Sequence, residues 1–342
     1  MRSVLLLLPL LLLPGLATGC GDGELGVVVR GERMPVVDMH LHPGDWDDIP
    51  PETKEFLSSR FPFPIDLRPD KAAAGVLSAE GILGEMDRAG VSVGVLFAIY
   101  APRTVGITSN EDVIADVARG PGRFYGLASL RIDRWNEDGE QELARLRDAL
   151  AAPGIIGIKL AHAHQQFRMD APGYFGIYAL AAELGKPVYL HTGTSPFPGT
   201  EQAPAYTDPR YLEAALAAHP GATFILGHLG YDFKAKELGA LEGCVDLATR
   251  YPNVYLEPSA LGSKGSDPSG GNLRLAMARL REAGLVDRVI YGSDGPQSPG
   301  FVEDYLERTV AAMEAADYSV AEARAVLAGN FARVFKVPVP AL

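Results

Sequence analysis

The sequence predicts an α/β fold of the (β/α)8 TIM-barrel class, and three observations carry that prediction. Strand-like and helix-like blocks alternate from about residue 35 onward with no break in composition, the pattern of a parallel sheet with covering helices. The strand-like stretches number eight, at 35–41, 92–99, 123–129, 155–160, 187–191, 223–228, 253–257 and 288–293. Eight units favour closure into a barrel, and no G-x-G-x-x-G follows the first strand, which weakens a dinucleotide-binding open sheet. Finally, five residues of metal-ligating type, His40, His42, His191, His228 and Asp294, stand where strand-like stretches stop. The C-terminal ends of the strands are where such barrels keep their chemistry. The spacing therefore suggests a metal-dependent barrel enzyme.

The N-terminal segment stands outside that pattern. Arg2 precedes VLLLLPLLLLPGLA, an apolar run of fourteen residues, short of the ~20 needed to span a bilayer. It reads as the core of a signal peptide over residues 1–20. LATGC resembles the lipobox of bacterial lipoproteins, in which the cysteine is lipidated, although Ala17 stands where Leu is preferred. The resemblance implies an exported protein of the bacterial cell envelope, held at the membrane only through a lipid anchor at Cys20. Residues 21–33 are Gly-rich and polar and read as a flexible tether. Residues 34–338 read as one barrel domain.

Composition narrows the partners. The chain has 342 residues, 47% of them hydrophobic, and a formal net charge of −12. No basic run stands out, so nucleic acid is not an expected partner. A small-molecule substrate is, and the oligomeric state is left open, a dimer included. The two cysteines, Cys20 and Cys244, make no disulfide framework. Cys244 lies in a stretch of helical period and reads as a small buried hydrophobe.

Taken in order, the blocks justify themselves. PVVDMHLHPG carries an HxH, and alternation puts His40 and His42 on one face. Their Cα atoms lie roughly 6.6 Å apart at ~3.3 Å per residue, so both imidazoles can reach one ion. Met39 and Leu41 then face the covering helices, and Asp38 shares the face of the histidines one layer lower. The connection 43–77 is long and holds Trp46 among Asp45, Asp47 and Asp48, a candidate substrate wall. Helical blocks follow at 78–90, 109–120, 140–152, 174–185, 209–220, 234–250 and 272–284, and 319–335 closes the ring. Arg103, after the second strand, could clamp a carboxylate. Lys159 ends IIGIKL with its amine toward the barrel mouth, and a buried lysine needs a specific partner. KPVYLHTG ends at His191, ATFILGHLG at His228 and DRVIYGSDGP at Asp294. Glu257 ends the seventh strand and is a candidate support for the site.

These motifs together resemble the amidohydrolase superfamily, in the branch that includes aminocarboxymuconate-semialdehyde decarboxylase. The resemblance covers residues 35–336: DMHLH, GIKL, ELGKPVYLHTG, FILGHLG, NVYLEPSA, RVIYGSDGP and LAGNFARVF follow in the family's order. It implies one divalent ion, zinc first with manganese or iron as alternatives, held by His40, His42, His191 and Asp294. It also implies that His228 activates water as a base or is a further ligand, and that Asp294 moves a proton. In binuclear members the lysine at the position of Lys159 is carboxylated and bridges two ions. The other readings of Lys159 are contact with a substrate carboxylate and an interior ion pair with Asp38 or Glu257. One departure stands out: where the decarboxylase pattern has His directly after GxKL, this chain has Ala161, and His164 and His162 beyond it are candidates for substrate contact, with loop histidines exposed to solvent as the other reading. The expected function is hydrolysis of a small-molecule ester, lactone or amide by metal-activated water. A non-oxidative decarboxylase of an unsaturated or aromatic acid is the alternative, and a non-catalytic surface-binding lipoprotein a lesser one.

Overall fold

The computed structural model describes residues 24–59 and 68–342. The expected signal peptide and Cys20 lie outside the described residues. A hairpin comes first. β1 (Val27–Val29) pairs antiparallel with β2 (Glu32–Met34), turning through Arg30 and Gly31 at φ of 48° and 85°. Two left-handed residues give the turn whose twist matches paired strands. Val29 and Met34 are fully buried, so the expectation of a flexible tether over 21–33 fails from Val27 onward. The β-branched run Val27-Val28-Val29 outweighs the glycines around it.

Seven parallel strands then form the barrel wall. They are β3 (Val37–Leu41), β4 (Val93–Phe97), β7 (Phe124–Ala128), β8 (Ile155–Leu160), β9 (Val188–His191), β10 (Phe224–Gly227) and β11 (Val254–Glu257), each hydrogen-bonded to the next. Beside β4 lies a small antiparallel pair, β5 (Ile99–Ala101) and β6 (Gly106–Thr108). The eighth expected strand forms no regular ladder, yet it bonds on both sides. Ile290 N–H donates to Leu256 at 2.9 Å, Met39 to Tyr291 at 3.1 Å, Asp294 to His40 at 3.0 Å and His42 to Gly295 at 2.7 Å. Residues 289–295 therefore close the ring between β11 and β3.

The expected helical blocks form, among them Ala79–Ala89, Asn110–Arg119, Trp135–Ala151, Phe175–Leu184, Leu241–Arg250 and Gly271–Glu282. Ser109 and Asp112 make a capping box, and Ser78 caps the helix it precedes. Helices at Pro51–Ser58, Pro69–Leu77 and Phe301–Ala315 were not anticipated. The first two lie in the long connection after β3. Val95, Phe97, Leu127, Tyr189, Ile225 and Ile290 face the interior with Phe331 and Phe335. Leu96, Ile158, Leu160, Leu190, Leu226 and Leu256 face the helices.

One facing was misread. Met39 packs in the interior with Val37, whereas Leu41 faces the helices. The register of β3 on β4 shifts between Asp38 and Leu41, and a bulge of this kind re-aims the side chains after it. Asp38 is drawn to the seam instead, where its Oδ1 accepts the N–H of His40 at 3.1 Å and of Ser293 at 2.9 Å.

Candidate metal centre

Four of the five expected residues meet above the interior of the barrel. His40 Nε2 lies 2.9 Å from His42 Nε2 and 3.0 Å from Asp294 Oδ1, which is 3.2 Å from His42 Nε2. His40, His228 and Asp294 each place a ligand atom within 4.8 Å of the other two. The fifth residue, His191, stands behind His228, their ring centroids 4.4 Å apart, and its buried Nε2 has no hydrogen-bond partner among the described residues. Ligand atoms ~2.1 Å from one cation in tetrahedral arrangement stand ~3.4 Å apart. The spacing of His40, His42 and Asp294 fits that, and the His191 nitrogen left without a partner among the described residues stands one ring further out, behind His228. Two imidazoles and a carboxylate this close bring electron pairs together, which a cation relieves.

The backbone is shaped for this convergence. His228 and Asp294 take φ of 60° and 68°, a region that costs a non-glycine residue ~1–3 kcal/mol and collects at functional sites. A Cβ on Gly292 would stand 2.0 Å from Glu257 Oε1, and one on Gly227 would stand 1.8 Å from the Tyr189 hydroxyl oxygen. Only glycine at these places leaves room for the polar groups under His40.

Those groups are Tyr189, Glu257 and Ser259, all fully buried. His40 Nδ1 lies 2.9 Å from Tyr189 Oη, 3.1 Å from Ser259 Oγ and 3.3 Å from Glu257 Oε1. Of the three, only Glu257 is marked in the sequence, by its place at the end of the seventh strand. Tyr189 could have been found, because it is two residues before His191 on the same face of β9.

Burial dominates the electrostatics. It pushes Glu257 up to about 8 and Asp38 up to about 7, and it lowers His228 to about 4. Burial and then the Lys159 charge hold His40 well below the usual histidine range. Burial also works to raise Asp294, but the His42 hydrogen bond and the charges of His228, His42 and Lys159 outweigh it and hold the carboxyl low. Asp294 thus stays an anion in this buried site. Lys159, lowered to about 7 by burial against the pull of Asp294 and Glu257, lies 3.5 Å from His40 Nε2. Its Nζ sits 4.6 Å and 4.2 Å from the ring centres of Phe97 and Tyr189.

The outer candidates separate. His164 is buried next to the cluster, edge-on to His191 with centroids 5.1 Å apart, its Nδ1 3.2 Å from Thr104 Oγ1. His162 points elsewhere: it stacks on Phe167 and meets Tyr178 Oη at 3.3 Å. Arg103 is exposed and donates to Gln166 Oε1 at 3.0 Å. Trp46 is partly buried in a short 3-10 turn after β3, with the Lys54 amine 6.0 Å from its ring centre. Cys244 is buried.

Residues 37–337 match the family model described as amidohydrolase. The chain belongs to the amidohydrolase family. Solved structures agree in fold. An uncharacterised TIM-barrel protein of Bordetella bronchiseptica is 22% identical, with a TM-score of 0.67 over 89% of this chain and 99% of its own. The 5-carboxyvanillate decarboxylase of Novosphingobium aromaticivorans, complexed with manganese and 4-hydroxy-3-methoxy-5-nitrobenzoic acid, is 17% identical, with a TM-score of 0.64 over 92% and 99%. A protein of Acinetobacter baumannii named as a probable 2-pyrone-4,6-dicarboxylic acid hydrolase, with citric acid bound, is 18% identical, with a TM-score of 0.60 over 89% and 100%. No curated protein sequence matches. Proteins similar in fold to this chain thus include one named as a decarboxylase and one named as a probable hydrolase.

Proposed function

We propose that this amidohydrolase uses one divalent cation, held by His40, His42, His191 and Asp294, to hydrolyse an ester, lactone or amide of a small molecule. The observation that carries the reading is the convergence of His40, His42 and Asp294 within 3.2 Å, with His191 behind the adjoining His228 ring, its buried Nε2 without a partner among the described residues. Such a cation supplies Lewis-acid polarisation of a carbonyl and a lowered pKa for water. The chain's own residues do the rest. His228, neutral down to about pH 4, takes the proton of the attacking water as base, and Asp294 holds or passes it on. Lys159 and His164 face the substrate. Zinc suits the ligand set and manganese is the alternative.

Decarboxylation of a small unsaturated or aromatic acid is the second reading, favoured by the manganese-bound 5-carboxyvanillate decarboxylase of the same fold. Then His228 and Asp294 deliver a proton to carbon instead. The two separate in one assay on the metal-loaded chain. Hydrolysis of a panel of esters, lactones and amides without carbon dioxide release supports the first, and carbon dioxide release from a panel of acids the second.

We also propose export with a lipid on Cys20, supported by Arg2, the apolar run and the small residues before that cysteine. Mass spectrometry of the native protein should find a mature chain beginning at a diacylated Cys20. A chain beginning elsewhere without lipid refutes it.

A further inference from the structure

Beneath the metal-type residues lies a buried cluster whose hydrogen bonds have a direction. Glu257 Oε2 accepts the Ser259 hydroxyl at 2.7 Å and the Tyr189 hydroxyl at 3.1 Å. It also accepts the backbone N–H of Ser259 at 3.3 Å and of His228 at 3.4 Å. A hydroxyl has one proton, so both hydroxyls spend theirs on Glu257 and turn only lone pairs elsewhere. Those lone pairs meet ring nitrogens. Ser259 Oγ lies 2.9 Å from His228 Nδ1 and 3.1 Å from His40 Nδ1, and Tyr189 Oη lies 2.9 Å from His40 Nδ1. His228 Nδ1 is also 3.2 Å from the Ser259 carbonyl oxygen, which can only accept.

We infer that Glu257, Ser259 and Tyr189 are positioning residues that put the proton on Nδ1 of both His40 and His228 and leave each Nε2 lone pair facing the mouth. The inference rests on the reading that His40 holds the cation and His228 acts as base. A nitrogen needs its lone pair for either task, and the proton on the other nitrogen sets which one is free. Ser259 is shared, so one hydroxyl governs the ligand and the base together. Glu257 gives the cluster its direction by taking both hydroxyl protons. Glu257→Gln keeps the shape and reverses part of it, because a carboxamide puts an NH2 donor in place of one of the two carboxyl oxygens, Oε2 accepting from Ser259 and Tyr189 and Oε1 facing His40.

Nitrogen NMR of the full chain, labelled at histidine, tests this. His228 is expected as the Nδ1–H tautomer in the metal-free protein, and His40 joins it once zinc is added. In Glu257→Gln, His40 should show a growing Nε2–H fraction, and zinc affinity should fall roughly 10- to 100-fold. Ser259→Ala should weaken zinc less, since Tyr189 and Glu257 still face His40. A wild-type His228 protonated at Nε2 overturns the inference. So does a folded Glu257→Gln with unchanged tautomers and zinc affinity. A wild type that binds no zinc refutes the metal reading instead, and the metal-free tautomer of His228 still decides this one.

Discussion

The two ends of the barrel are made from the same strands and obey opposite rules. At the C-terminal end stand His40, His42, His228 and Asp294, two of them with left-handed backbones, together with buried charge and an imidazole nitrogen without a partner. At the N-terminal end, Phe331 packs against Phe335 in a tilted pair with centroids 4.5 Å apart. A cavity of about 290 Å³ there is lined by Leu25, Val37, Val93, Tyr125, Phe331 and Pro338. One end accepts strain and desolvation to bring polar atoms together, and the other supplies apolar packing that holds them in place. Function and stability should therefore separate under mutation, as conserved chemistry and packing do in barrels generally.

The largest effect should come from the upper end. Asp294→Asn removes an anion from beside His40 and His42. It should abolish stoichiometric metal binding and cost at least the two to four orders of magnitude in turnover that a lost proton-transfer group costs. Metal analysis and steady-state kinetics on one preparation check it, and normal metal content would break the comparison. His228→Ala should keep near-full metal and still lose roughly two to four orders of magnitude in kcat. Loss of the ion in that variant would move His228 from base to ligand.

The lower end should answer in stability. Phe331 is buried in the interior cluster, and Phe331→Ala should cost ~3–5 kcal/mol of unfolding free energy. Denaturant titration measures that, while zinc affinity per folded chain should stay unchanged. A variant with native stability and lost metal would show that the two ends are not separable.

The last effect is a pH dependence away from the site. Burial lowers His162 to about 3, against ~6.5 in an unfolded chain. Below pH ~6.5 the unfolded state binds the extra proton, so this contribution is fully present above that pH and is lost as pH falls toward 3. The slope is at most ~1.4 kcal/mol per pH unit. His162→Leu should flatten it in thermal melts between pH 6.5 and 4, and a slope unchanged by the substitution would contradict the burial of a neutral His162.

The same contrast explains what could be read without coordinates. The strands were legible because alternation with abrupt polar ends is a local signal, and the HxH, His191, His228 and Asp294 sat at those ends. The facing of Met39 was not, because a single bulge between Asp38 and Leu41 resets the alternation. The support under His40 was not legible as a unit either. Tyr189, Glu257 and Ser259 come from two strands and a turn, and only closure of the barrel brings them together. The helix Phe301–Ala315 gives a weaker signal in the sequence, lying between a Gly- and Pro-rich loop and the stronger block that follows it.

The most direct measurement is the metal content of the purified full chain beside that of His40→Ala. The account predicts one divalent ion per wild-type chain, none in the variant, and turnover abolished by a chelator and restored by zinc or manganese. A wild type that carries no divalent ion and turns over substrate unaffected by the chelator would contradict it.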